Sequence, residues 1–149
     1  MHRARKRFGQ HFLEPAWVAK LIDALDVQAG ETFLEIGPGR GALTVPLAAR
    51  VARLIAVEID RDLARALPSR LPSVHLVQAD FLRVDVADLL RSAATPVRVV
   101  GNLPYNVASP ILFKLLHEAR EGRLLQDATL RLVADDEPPA RVTACRLGI

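Results

Sequence analysis

Four short stretches carry residue types that do chemistry. In Glu35-Ile36-Gly37-Pro38-Gly39-Arg40-Gly41 the glycines are spaced G-x-G-x-G. That spacing lets backbone approach a ligand closely and opens a helix N-terminus toward it. The dinucleotide fingerprint asks for G-x-G-x-x-G, and Ala42 is acceptable at its last place. The turn suits a nucleotide-like cofactor, although a tight turn without ligand uses the same residues. Glu58 stands 21 residues after Gly37. A carboxylate there can accept both ribose hydroxyls of an adenosine. Asp80 precedes Phe81: the acid can accept from an adenine amino group while the apolar neighbour packs on the ring. Acids at strand ends also serve as plain helix caps.

Asn102-Leu103-Pro104-Tyr105 is the fourth stretch. The exocyclic amine of adenine is a poor nucleophile, because its lone pair is delocalised into the ring. A side-chain amide oxygen and a nearby backbone carbonyl can accept its two N–H bonds. They would hold the nitrogen toward a methyl donor and favour the positive charge that develops there. No general base is needed first, since the proton can leave after transfer. Pro104 stiffens the segment and Tyr105 can stack on a flipped-out base. A Pro-containing turn with a surface Tyr is the simpler alternative.

These residues need elements to hold them. Pro15 followed by Trp17, Val18, Leu21, Ile22 and Leu25 predicts a helix over 15–26. Residues 32–36, 54–57, 74–77 and 97–100 read as strands, with a fifth over 128–133. Helices are predicted over 42–49, over 61–67 behind an N-cap at Asp60, and over 84–91. Residues 102–105 read as a loop, and Pro110 as the opening of a helix that ends near Gly122. Strands alternating with helices predict a parallel sheet with helices on both faces. Gly37, Glu58, Asp80 and Asn102 then share the edge where such sheets bind ligands.

The chain has 149 residues, the size of one domain, with half of them hydrophobic and a net charge of +3. Arg3, Arg5, Lys6, Arg7 and Lys20 against Glu14 put +4 on residues 1–20. A basic arm suggests an anionic polymer, or a solvated terminus. The single cysteine, Cys145, excludes an internal disulfide framework and a multi-Cys zinc site. No metal site is expected. No apolar run nears the roughly 20 residues of a membrane span, and no signal peptide is read. A cytoplasmic, monomeric protein is expected.

RKRFGQHFL, FLEIGPGRGALT, AVEIDRDLA, QADFL and VVGNLPYNVASPILFKLL occur in one order. Together they resemble the ribosomal RNA small-subunit adenine dimethyltransferase family over residues 3–130. The resemblance implies a Rossmann-like methyltransferase fold using S-adenosyl-L-methionine. It implies dimethylation of N6 of two adjacent adenosines near the 3′ end of 16S rRNA in small-subunit precursors. It implies that His11 and Leu13 lie beside the cofactor with Gly37 and Gly39. Glu58 would take the ribose, and Asp80 and Phe81 the adenine. Asn102 would bind the cofactor and stand between it and the target; Leu103 would belong to the same catalytic segment, and Pro104 and Tyr105 would grip the base. Arg3, Arg5, Lys6 and Arg7 would meet RNA phosphate. His11 stands where family members often have Asn.

The expected organisation is a basic arm over 1–14, an incomplete methyltransferase domain over 15–133 and a divergent tail over 134–149. From Arg131 onward RLVADDEPPARVTACRLGI stands where a Gln-bearing, helix-opening segment is expected. This points to a frameshifted or truncated frame and to a sheet that stops after about five strands, with impaired activity. Three other readings use subsets of these features. They are a macrolide-resistance type 23S rRNA methyltransferase, a non-catalytic RNA-binding assembly factor, and an NAD-type oxidoreductase domain. The last gives Asn102-Leu103-Pro104-Tyr105 no role.

Overall fold

Uninterrupted apolar runs bounded by breakers make the centre of the sheet. All five residues of β1 (Thr32–Ile36) are buried, as are Leu54–Glu58 of β2 (Arg53–Glu58). Strands covered on both faces read this way in parallel sheets. The computed structural model describes residues 14–94, 96–122, 124–133 and 143–148. Its other strands are β3 (His75–Gln78), β4 (Val97–Pro104), β5 (Leu125–Val133) and β6 (Thr143–Gly148). Their order is β3-β2-β1-β4-β5-β6. The first five are parallel, as expected. The sixth, from a stretch the sequence pattern leaves unassigned, lies antiparallel on β5, with Leu130 opposite Cys145.

The two-residue period of the strands divides the core in two. Leu34, Ile36, Ile55, Val57, Val97 and Val99 face one side. There they meet Ala108, Ile111 and Leu115 of α5 (Tyr105–Glu121) and Val86 of α4 (Val86–Leu89). Phe33, Leu54, Ala56 and Val100 face the other side. They pack on Leu21, Ile22 and Leu25 of α1 (Pro15–Leu25) and on Leu47 of α2 (Thr44–Ala48). Asp60 caps α3 (Arg61–Ala66), accepting from the N–H groups of Asp62 at 2.9 Å and Leu63 at 3.2 Å.

Two expectations need correction. Asn102-Leu103-Pro104 is the end of β4, not a loop. β5 is nine residues long and carries the pairing past Gly101, setting Asn102 opposite Arg131 and Leu103 opposite Leu132. Pro104, which has no N–H to give a ladder, is the last strand residue. Pro110 does not open α5 but lies inside it, six residues after Pro104. It removes the hydrogen bond to the Asn106 carbonyl. Burial of Ala108, Ile111 and Leu115 along one stripe favours helix on both sides of that gap.

At the end of the sheet where the strands begin, Arg98 is buried among charges. Its Nε donates to Asp127 Oδ2 at 3.0 Å and its Nη1 to Glu31 Oε2 at 3.0 Å. The guanidinium lies 4.9 Å from the centre of the Phe33 ring. Three segments are tied together there: the lead-in to β1, β4 and β5.

Candidate active site

The strand order reverses between β1 and β4, and ligands of such sheets bind where the strand ends diverge. A cleft of about 300 Å³ opens there. Its wall is built from the ends of β1, β2 and β4, the turns after β1, β2 and β3, and the start of α5.

The turn after β1 passes through Gly37, Gly39 and Gly41, all in the left-handed region, with φ of 71°, 58° and 85°. At Gly41 a side chain is excluded twice: by φ, and because a Cβ would stand 2.7 Å from Leu67 Cδ1. The Gly37 N–H donates to the Val57 carbonyl at 2.9 Å, which fixes the turn to β2.

Glu58, at the end of β2, is buried. Its Oε2 accepts from the Gly39 N–H at 2.8 Å and its Oε1 from the Asp60 N–H at 2.9 Å. One carboxylate thus braces the glycine turn against the cap of α3. Burial pushes it above the ordinary carboxylate range, and the Asp60 and Gly39 N–H groups oppose that. Asp80 Oδ1 accepts from Leu82 N–H at 3.0 Å, capping the single 3-10 turn Phe81–Arg83. The cap and the cleft position coexist, since Asp80 and Phe81 both line the wall.

At the end of β4, Asn102 Oδ1 accepts from Arg131 Nη1 at 2.9 Å. Arg131 is itself buried, with Nε lacking a hydrogen-bond partner and its guanidinium 5.5 Å from the Trp17 ring centre. Burial lowers its pKa, and the charge of Glu14 opposes that.

Glu35 also faces the cleft, fully buried, with Oε2 lacking a hydrogen-bond partner. Burial raises its pKa to about 8. The nearby Thr44 hydroxyl lowers it without making a regular hydrogen bond, and the Glu58 charge raises it further. The unfolded value is 4.5, so the folded chain binds the extra proton between pH 4.5 and 8. Glu35 therefore favours the fold below pH 4.5 and loses that contribution as pH rises toward 8. Across that window stability is expected to fall by up to about 1.4 kcal/mol per pH unit from this group. Urea unfolding at pH 5.5 and 7.5 checks it: Glu35→Gln should flatten the slope, and an unchanged slope would assign the dependence elsewhere.

Eight of the residues expected from sequence line this one cleft: Gly37, Gly39, Glu58, Asp80, Phe81, Asn102, Leu103 and Pro104. Tyr105 is not in the wall, and opens α5 at 62% exposure. His11, Leu13, Arg3, Arg5, Lys6 and Arg7 lie outside the described residues. Sequence reasoning assigned no role to Glu35 or to Arg131. An acid inside the apolar run Thr-Phe-Leu-Glu-Ile was the available signal for the first. Nothing in the sequence signalled the second.

The family model described as "Ribosomal RNA adenine dimethylase" matches residues 1–145, which carries the likeness past Leu130. "Ribosomal RNA small subunit methyltransferase A" of Leptothrix cholodnii is 50% identical over 118 residues, 78% of this chain and 44% of that one. The protein of the same name from Aromatoleum aromaticum is 46% identical over 142 residues, 90% of this chain and 52% of that one. The chain spans about half the length of the curated relatives it matches. Among solved structures, the 23S rRNA methyltransferase ErmE superposes with a TM-score of 0.68 at 28% identity, over 83% of this chain and 48% of that one. A dimethyladenosine transferase from Plasmodium falciparum gives 0.67 at 26%, over 82% and 43%. An RNA methyltransferase from Salinibacter ruber, in complex with S-adenosyl-L-homocysteine, shares the fold, with a TM-score of 0.60 at 22% identity over 88% and 84%.

Proposed function

The chain belongs to the ribosomal RNA adenine dimethylase family, and from that premise we propose that it transfers methyl groups from S-adenosyl-L-methionine to N6 of adenosine in ribosomal RNA. The substrate in this reading is a pair of adjacent adenosines near the 3′ end of 16S rRNA, in cytoplasmic small-subunit precursors. One observation carries it: Glu58 and Asn102 at the ends of β2 and β4, and Asp80 just after β3, line one cleft beside the glycine turn. The cleft suits the cofactor. It has glycines at positive φ, a buried carboxylate at the end of β2, and an orphaned acid oxygen on Glu35.

S-adenosylmethionine, when bound, supplies a methyl group activated by its sulfonium. The chain does the rest by positioning. Glu58 is braced by two N–H groups and keeps lone pairs to accept from ribose hydroxyls. Asp80 Oδ2, outside the cap and 3.9 Å from the exposed Arg83 Nε, accepts from an adenine amine, with Phe81 beside it in the wall. His11 and Leu13 complete the cofactor side. Asn102 Oδ1 accepts N6–H of the target and holds the nitrogen toward the methyl. Leu103 and Pro104 fix that strand end, and the exposed Tyr105 ring stacks on the base. Arg3, Arg5, Lys6 and Arg7 engage phosphate.

A thermal melt of the chain with and without S-adenosylmethionine tests the cofactor half. Ligand at a hundred times its Kd should add about 2.7 kcal/mol of stability. Glu58→Ala should remove the shift. A cooperative melt that ignores the ligand would overturn the reading. Labelled methyl incorporation tests the substrate half. Small-subunit precursors should accept label and protein-free 23S RNA should not. The reverse would favour the macrolide-resistance type of activity, and RNA binding without incorporation would favour an assembly factor.

A further inference from the structure

The part of the cleft wall that carries Asp80 and Phe81 is a single 3-10 turn, Phe81–Arg83. It is closed by the Arg83 N–H on the Asp80 carbonyl at 2.9 Å and the Val84 N–H on the Phe81 carbonyl at 3.2 Å. So short a turn does not hold itself. Asp80 Oδ1 caps its start, and its end is held from α5. Lys114 Nζ donates to the Val84 carbonyl at 2.5 Å and to the Leu82 carbonyl at 3.4 Å. It also lies 5.6 Å from the centre of the Phe81 ring. Carbonyls at the end of a helical turn have no partner within it, and a lysine ammonium has three donors to give. The ring face adds attraction for the cation. Among the described residues no carboxylate pairs with Lys114, so its contacts converge on the turn. The turn's own ion pair, Arg83 with Asp80, is exposed and 3.9 Å long, and adds little.

Lys114 stands on α5, which begins at Tyr105 directly after Asn102-Leu103-Pro104. One helix thus joins the strand end assigned to the target base and the turn assigned to the adenine. Resting on the cofactor reading above, we propose that Lys114 is a positioning residue that sets the cleft's preference for an adenine base. It pins the turn to α5 and so holds the Asp80 carboxylate where it meets the 6-amino group. A carboxylate held still accepts from that amine and rejects a 6-oxo group, whose oxygen is itself an acceptor. On a loosened turn the carboxylate swings to water, and the distinction fades.

Calorimetric Kd values for S-adenosylhomocysteine and S-inosylhomocysteine on the full chain test this at pH 7. The two ligands differ only at the base edge that Asp80 would read. The wild type should bind the adenine ligand at least about tenfold more tightly. Lys114→Met, which keeps the apolar stem, should cut that preference to about threefold or less, and Lys114→Arg should keep it. If Lys114→Met does not fold, Lys114→Gln replaces it, with a shorter and uncharged side chain. A purely structural role would weaken both ligands together; a preference that survives in the neutral variants overturns the role of Lys114 alone. A wild type that binds both bases alike overturns the Asp80 assignment, and the proposal with it. Failure of the folded wild type to bind either ligand overturns the cofactor reading itself and everything that rests on it.

Discussion

Asn102→Ala is expected to lower methyl transfer at least about a hundredfold while S-adenosylmethionine affinity moves less than about threefold. Removing one preorganised hydrogen-bonding group from a reaction site has effects of about 10² to 10³ in rate. The amide oxygen of Asn102 is the side-chain acceptor at the end of β4, and β5 pairing holds that strand end rigid. The acids proposed to hold the adenosine, Glu58 and Asp80, sit at other strand ends, so affinity should survive. Methyl incorporation and calorimetric binding, run on the same preparation, separate the two. Equal losses in both would place Asn102 in cofactor binding alone. The variant also releases the Arg131 Nη1 donor from its acceptor, so the melt should be recorded beside the kinetics.

Asp127→Ala should cost about 1–3 kcal/mol of folding stability, because it leaves the buried Arg98 Nε without its acceptor while Glu31 still pairs with Nη1. Asp127 takes both hydrogen bonds from Arg98 Nε, at 3.0 and 3.1 Å, while Glu31 takes those from Nη1. The double replacement Arg98→Met with Asp127→Leu should regain most of that loss, since an apolar pair leaves no buried charge. Urea midpoints of the wild type, the single variant and the double variant decide it. A single-variant loss under about 1 kcal/mol would mean that water reaches the site.

Much of this architecture was legible where one physical signal dominated. Unbroken apolar runs marked β1 and β2, and β1 was bounded to the residue. Asp60 was readable as a cap because short acids accept from the first free N–H groups of a helix. The site was legible as a set: glycine turn, Glu58, Asp80 and Asn102 fall at successive strand ends. What escaped were features decided by tertiary partners. Residues 102–105 looked like a loop, yet a long neighbouring strand kept the backbone extended through Pro104. Pro110 looked like a helix start, yet burial on both sides of it carried the helix through. The contact of Arg131 with Asn102 arises from strand register across 29 residues, which no local pattern encodes.

The strand order β3-β2-β1-β4-β5-β6 also has a consequence in time. β1 is central, and its two neighbours come from different stretches of the chain: Leu34 pairs with Ile55 on one side and Val99 on the other. During synthesis the first edge can close early, while the second stays open until β4 has left the ribosome. Arg98 then emerges with Glu31 already made and Asp127 still to come. Parallel pairings at such sequence separations are intrinsically slow, and unpaired edges are where growing chains associate wrongly. The half-grown chain thus carries an unpaired strand edge and an Arg98 with only one of its two carboxylate partners, and the synthesis of β5 completes the Arg98 network.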